Sequence, residues 1–157
     1  MAAENPSLEN AMQDCNCFAV RSAARHVTQL YDQFLLPVGL RTTQFSILAK
    51  LKRKGPMTIN ALAGEMVTDR TTLGRNVLPL QRDGLIRIQG STADRRAKEL
   101  HLTKIGEKRL QDAIVAWSCA QARFEDTFGT RPAADLRAML RAVVASKFTD
   151  STEGARG

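Results

Sequence analysis

The apolar residues of this 157-residue chain change their period once and then change it back. From about Asp69 to Asp83 they recur as Leu73, Val77 and Leu80, the spacing of one face of an α-helix. Gly84 supplies the C-terminal stop. Leu85–Gln89 then alternate as a strand, Gly90–Arg96 read as a loop, and Ala97–Thr103 return as a second strand. At Lys104 the helical period resumes. The predicted fold class is therefore mainly α, with one small β-hairpin enclosed by helices.

The flanking segments fill in the order of elements. Val20, Ala23, Val27, Leu30 and Phe34 fall at alternating spacings of three and four, which predicts a long helix over residues 15–36 with a coiled-coil-like seam. Pro37 and Gly39 stop it. Phe45, Leu48 and Leu51 mark a second helix over 42–53, closed by Gly55-Pro56. Thr58 suits a helix N-cap, and Ile59, Leu62, Ala63 and Met66 make a short stripe after it. Beyond the hairpin, Leu110, Ile114, Trp117, Phe124 and Phe128 predict one long stripe, broken by Gly129 and Pro132. Leu136, Met139, Leu140, Val143 and Val144 mark a last helix.

The order helix, helix, turn, helix, hairpin over about 42–103 is that of a winged helix-turn-helix. The helices over 15–36 and 104–148 carry more apolar surface than one small chain can cover. A homodimer that intertwines them is the economical arrangement. The expected layout is a flexible segment 1–14, a single domain 15–148, and a disordered polar tail 149–157.

Charge placement narrows the function. Arg41 to Arg109 holds 15 Lys/Arg against 6 Asp/Glu, whereas the rest of the chain holds 8 against 10. All excess positive charge thus lies in the middle of the chain, and a basic region of that kind attracts a polyanion, with double-stranded DNA the leading partner. No apolar run approaches the ~18–20 residues of a membrane helix. The first ten residues carry acids and no basic cluster, which argues against a secretory signal. The expected location is cytoplasmic and nucleoid-associated. Cys15, Cys17 and Cys119 are an odd number, so free thiols are the default. No phosphate loop, nucleophile elbow or zinc-protease motif is present, so no enzyme activity and no cofactor are expected. Cys15-x-Cys17 lacks a second ligand pair, and only His26 and His101 are available to help, so no metal site is expected either. His26 reads as an interface or pocket residue, and His101 as a surface residue of the second strand.

Two stretches carry the DNA chemistry. On the helix in TDRTTLGRNVLPLQRDG, Thr71 and Arg75 lie opposite the core face, with Thr72 and Gly74 on the flanks. That outer face suits a recognition helix in the major groove, where Arg75 can donate two hydrogen bonds to a guanine. Gly74 costs roughly 1 kcal/mol of helix stability against alanine; close approach of the backbone to DNA, or helix–helix packing, would explain it. Pro79 should bend the helix. The hairpin tip Asp94-Arg95-Arg96 reads as a wing, whose arginine a narrow A·T-rich minor groove attracts. Asp94 can hold the Arg96 guanidinium in a fixed pose. The candidate DNA contacts are Thr58, Arg70, Thr71, Thr72, Arg75, Asp94, Arg95 and Arg96.

DRRAKELHLT resembles the D-x-R-x(5)-L-T wing signature of the multiple-antibiotic-resistance regulator (MarR) family, with Asp94, Arg96, Leu102 and Thr103 in the diagnostic places and Gly106 fitting as well. MTINALAGEMVTDRTTLGRNVLPLQRDGLI is similar to that family's helix-turn-helix. The similarity covers about residues 15–148. It implies a homodimeric transcription regulator, usually a repressor on a pseudo-palindromic site, with Arg96 in the minor groove and Asp94 positioning it.

The family resemblance also implies a switch, through a small aromatic or phenolic effector or through cysteine oxidation. CNCFAV resembles the start of the family's organic hydroperoxide sensors, with Cys17 as the reactive thiol and Tyr31 matching a tyrosine that bonds it. Those sensors carry a second tyrosine where this chain has Arg21. Arg21 can favour the Cys17 thiolate from one turn away. Arg21 and Arg25 can equally accept the carboxylate of an aromatic acid. Cys119 is a candidate resolving thiol if it approaches Cys17 in the dimer. All three cysteines can instead be ordinary small interface hydrophobes.

Overall fold

The computed structural model describes residues 8–94 and 96–148. Its elements run α1 (Leu8–Gln13), α2 (Asn16–Leu35), a 3-10 turn (Leu36–Val38), α3 (Thr42–Lys54), β1 (Met57–Thr58), α4 (Ile59–Glu65), α5 (Arg70–Arg82), β2 (Ile86–Gly90), β3 (Lys98–Leu102), α6 (Lys104–Phe128) and α7 (Thr130–Ala145). The mainly helical fold with a small hairpin is as expected, with two additions. Leu8–Gln13 is helical within the segment expected to be flexible. Met57–Thr58 forms a third strand, in the antiparallel order β1-β3-β2, with Met57 opposite Leu100 and Ile88 opposite Leu100 from the other side. The expected tail 149–157 and Arg95 lie outside the described residues.

The chain divides into two compact units, one up to Ala120 and one from Gln121 on. The core of the first is aliphatic: Leu35, Leu40, Ile47, Leu48, Leu62, Leu73, Leu80, Leu85 and Ile86 are all essentially inaccessible to solvent. Each such side chain contributes about 1.5–3 kcal/mol through burial. α5 ends in a Schellman motif. Gly84 takes φ +71°, and the Leu85 N–H donates to the Leu80 carbonyl at 2.9 Å, so that two buried leucines meet across the cap. α4 ends the same way but with Val67 in the left-handed position at φ +51°. A β-branched residue there costs roughly 1–2 kcal/mol.

α6 starts from Thr103. Its hydroxyl donates to the Gly84 carbonyl at 2.7 Å and accepts the Gly106 N–H at 3.0 Å. Gly106 sits so close to β2 that a Cβ would collide with the Leu85 carbonyl oxygen. The buried seam of α6 is Gly106, Leu110, Ala113 and Ala120. This corrects the expected stripe, in which Leu110 alone is buried. Ile114 is 46% exposed because small residues, not large ones, let the helix approach the core.

In the second unit Phe124 and Phe128 pack with ring centroids 5.4 Å apart, and Arg137 pairs with Glu125 at 3.0 Å. On α7 Met139, Leu140, Val143 and Val144 are exposed.

Candidate nucleic-acid interface

α5 separates its residues as its period predicts. Leu73, Val77 and Leu80 are buried, whereas Arg70, Thr71, Thr72 and Arg75 are exposed around its N-terminal turns. Asp69 caps it: Oδ1 accepts the Thr72 N–H at 2.8 Å and Oδ2 accepts the Thr72 hydroxyl at 2.6 Å. The hydroxyl bond and then the N–H bond hold the Asp69 carboxyl below the ordinary carboxylate range. Thr72 is thus turned into the cap, which leaves Arg70, Thr71 and Arg75 as the exposed side chains of these turns that can point outward. Pro79 lies inside a helix that continues to Arg82, so the Arg75 carbonyl lacks its helical donor. Leu78 was not singled out from sequence, yet it is 64% exposed one turn beyond Arg75. An exposed leucine on that face can take an apolar contact such as a thymine methyl. An added Cβ at Gly74 meets nothing within 4 Å, which removes helix packing within the protomer as the reason for that glycine.

Thr58 caps α4, its hydroxyl oxygen accepting the Ala61 N–H at 3.2 Å. Its hydroxyl proton remains free to donate.

The wing is built on a buried serine. Ser91 Oγ accepts the N–H groups of Ala93 at 3.2 Å and Asp94 at 3.4 Å, and the Ser91 N–H donates to Ala97 at 2.8 Å. Asp94 Oδ1 accepts the backbone N–H of Arg96 at 2.9 Å. This corrects the expected contact with the guanidinium. Asp94 fixes the turn from which Arg96 projects, because a carboxylate two residues upstream reaches the main chain more easily than the end of a long side chain. Arg96 is exposed.

The basic middle of the chain is partly neutralised by the fold. Lys50 and Lys54 both bind Glu65, at 3.1 and 2.5 Å, and Lys52 binds Glu107 at 2.8 Å. The Lys54 and then the Lys50 hydrogen bonds hold the Glu65 carboxyl below its usual range. No ion pair among the described residues engages Arg70, Arg75, Arg96 or Lys98. Unpaired cations thus remain on both α5 and the wing. His101 is corrected from a surface position: its Nε2 is buried, 3.6 Å from Glu99, because its strand face is covered by the end of α3.

The switch candidates lie elsewhere. Cys15 Sγ caps α2 by accepting the Phe18 N–H at 3.4 Å, and Cys17, Arg21 and Arg25 are exposed along the same helix. Cys17 and Tyr31 share α2, so fourteen residues separate them by about 21 Å along its axis, and they cannot meet within one protomer. Cys119 is exposed on α6, and all three cysteines are free. Two features were not drawn from sequence. Phe45 stacks on Trp117 at 6.2 Å and 14°, and the Arg109 guanidinium lies over Gly39, whose φ is +79°. Among the described residues no cluster of His, Cys, Asp or Glu could hold a metal, and no helix is long and apolar enough to cross a membrane.

A helix with a polar, basic outer face followed by an arginine-bearing wing defines a winged-helix DNA-binding protein. The MarR family model matches residues 40–98. An uncharacterised HTH-type transcriptional regulator of Bacillus subtilis, YwoH, is 31% identical over 61% of this chain and 69% of its own length. Among solved structures, the transcriptional regulator MosR of Mycobacterium tuberculosis is 35% identical, with TM-score 0.72 over 87% of this chain and all of its own. MosR in complex with DNA is 37% identical, with TM-score 0.71 over 84% of this chain and 98% of its own. The chain belongs to the MarR family; it is a DNA-binding transcriptional regulator and not an enzyme.

Proposed function

We infer that this protein is a homodimeric repressor that reads a pseudo-palindromic operator and releases it when a small aromatic effector binds. The observation that carries the operator reading is the paired geometry of α5 and the wing. Thr71 and Arg75 point outward from a capped helix start, and Asp94 fixes the turn under Arg96. Arg75 reads a base edge in the major groove, and Arg96 enters the adjacent minor groove. Dimerisation is supported by exposed apolar side chains on the terminal helices: Phe18 and Val20 on α2, Ile114 and Val115 on α6, Met139 and Val144 on α7. Few monomers leave that much apolar surface open. Two copies would set their recognition helices about one helical turn apart. The Phe45–Trp117 stack supports an aromatic effector, since a planar ligand gains from such a surface. Arg21 and Arg25 are candidate partners for its carboxylate.

A second reading rests on the exposure of Cys17 in the first turn of α2. An organic hydroperoxide would oxidise its thiol to a sulfenic acid and be reduced to the alcohol. Tyr31 would then have to come from the second protomer.

The test is fluorescence anisotropy on a duplex from the protein's own upstream region, with wild type, Arg75→Ala and Arg96→Ala. Arg75→Ala should relax preference at one position per half-site by about 1–3 kcal/mol. Arg96→Ala should weaken specific binding while the dimer persists. Unchanged affinity for both variants would sink the reading. Release by an organic hydroperoxide that a thiol reductant reverses would select the second reading for the switch.

A further inference from the structure

A cleft of about 370 Å³ opens between the end of α5 and the wing, lined by Gln81, Ile88, Gln89, Arg96 and Lys98. Two of its residues are cations and two carry amide donors. Neither Arg96 nor Lys98 forms an ion pair among the described residues, whereas the lysines of α3 are all matched by acids. The acid next to Lys98, Glu99, alternates to the other face of β3, where it lies 3.6 Å from His101, and Asp94 spends its Oδ1 on the backbone N–H of Arg96. The cleft is therefore cationic and open to solvent, with no acid in its lining to serve as a counter-charge.

Its position says what that counter-charge is. A helix in the major groove and a wing in the neighbouring minor groove straddle the sugar–phosphate strand that divides the two grooves. That strand has to pass between them, and the space between α5 and the wing is this cleft. We propose that the cleft seats a DNA backbone phosphate, with the Lys98 ammonium as its principal ligand and the Gln81 amide as a second donor. Arg96 stands at the rim, so its guanidinium reaches past the phosphate toward the groove. The proposal rests on the docking of α5 and the wing given above, and it adds a contact that fixes position without reading sequence.

The test is the salt dependence of duplex binding by the full-length protein. Wild type, Lys98→Gln and Arg87→Gln are titrated with the upstream duplex and with an unrelated duplex of the same length. Arg87 faces the opposite side of the hairpin, across from His101, and serves as the charge control. Each neutralised phosphate contributes about 0.9 to the slope of log affinity against log salt, so Lys98→Gln should lower the slope by about one per protomer. Its loss of affinity should be the same on both duplexes. Replacing the straddled phosphate by an uncharged methylphosphonate should erase the difference between wild type and Lys98→Gln. An unchanged slope for Lys98→Gln beside a steep wild-type slope, or an equal fall for Arg87→Gln, overturns the cleft alone. A wild type with no preference for either duplex and no salt slope overturns the docking itself.

Discussion

Gly74→Ala separates stability from function at one atom. Gly74 lies inside α5 between buried Leu73 and exposed Arg75, and a methyl group there touches nothing within 4 Å. The new side chain therefore gains the helix propensity of alanine and meets no steric cost. That gain is about 1 kcal/mol. For a chain of this length it raises the melting temperature by roughly 2–4 °C. A glycine that weakens its own helix without packing against anything points outward for its reason, to the DNA backbone or a base edge. The methyl group should then lower operator affinity by at least about tenfold, equivalent to 1.4 kcal/mol. Thermal unfolding by circular dichroism reads the first effect, and anisotropy on the upstream duplex reads the second. A variant that is more stable and binds as tightly as wild type would refute the DNA explanation of Gly74. A variant that melts lower would refute the open space above it.

Gly106→Ala is the contrasting case: the added Cβ meets the Leu85 carbonyl, so stability should fall by about 1–3 kcal/mol in denaturant titration despite the better helix former. Asp69 and Glu65 hold depressed carboxyl pKa values through hydrogen bonds from Thr72 and from Lys54 and Lys50. A depressed folded-state pKa stabilises above the unfolded value and loses that contribution as pH falls through the folded one. The melting temperature of wild type should exceed that of Asp69→Asn at neutral pH, and the gap should close on acidification below about pH 4. A gap that does not change with pH would mean that the charge of Asp69 contributes nothing, since asparagine caps a helix equally well.

Elements whose signals are local were legible along the chain. The stripe of Leu73, Val77 and Leu80, the stop at Gly84 and the alternation through Leu100 and Leu102 each depend on residues a few positions apart. They placed α5 and the hairpin to within a residue or two. The division of α5 into a buried and an exposed face was legible for the same reason, as was Thr58 as a cap.

Features that depend on residues far apart in the chain emerged only once the chain was folded. Two residues have no period, so Met57–Thr58 becomes a strand only because β3 offers an edge. The buried seam of α6 runs through Gly106 and Ala113, and not Ile114, because the distance of closest approach is set by the Leu85 carbonyl about twenty residues earlier in the chain. The count of lysines and arginines located the basic region, but Glu65 and Glu107, from other helices, pair with its Lys50, Lys52 and Lys54. Which cations stay unpaired, Arg70 and Arg75 on α5 and Lys98 in the wing cleft among them, is set by which charges the fold brings together. Local pattern is carried by neighbouring residues, whereas electrostatic balance and close packing are properties of the assembled surfaces.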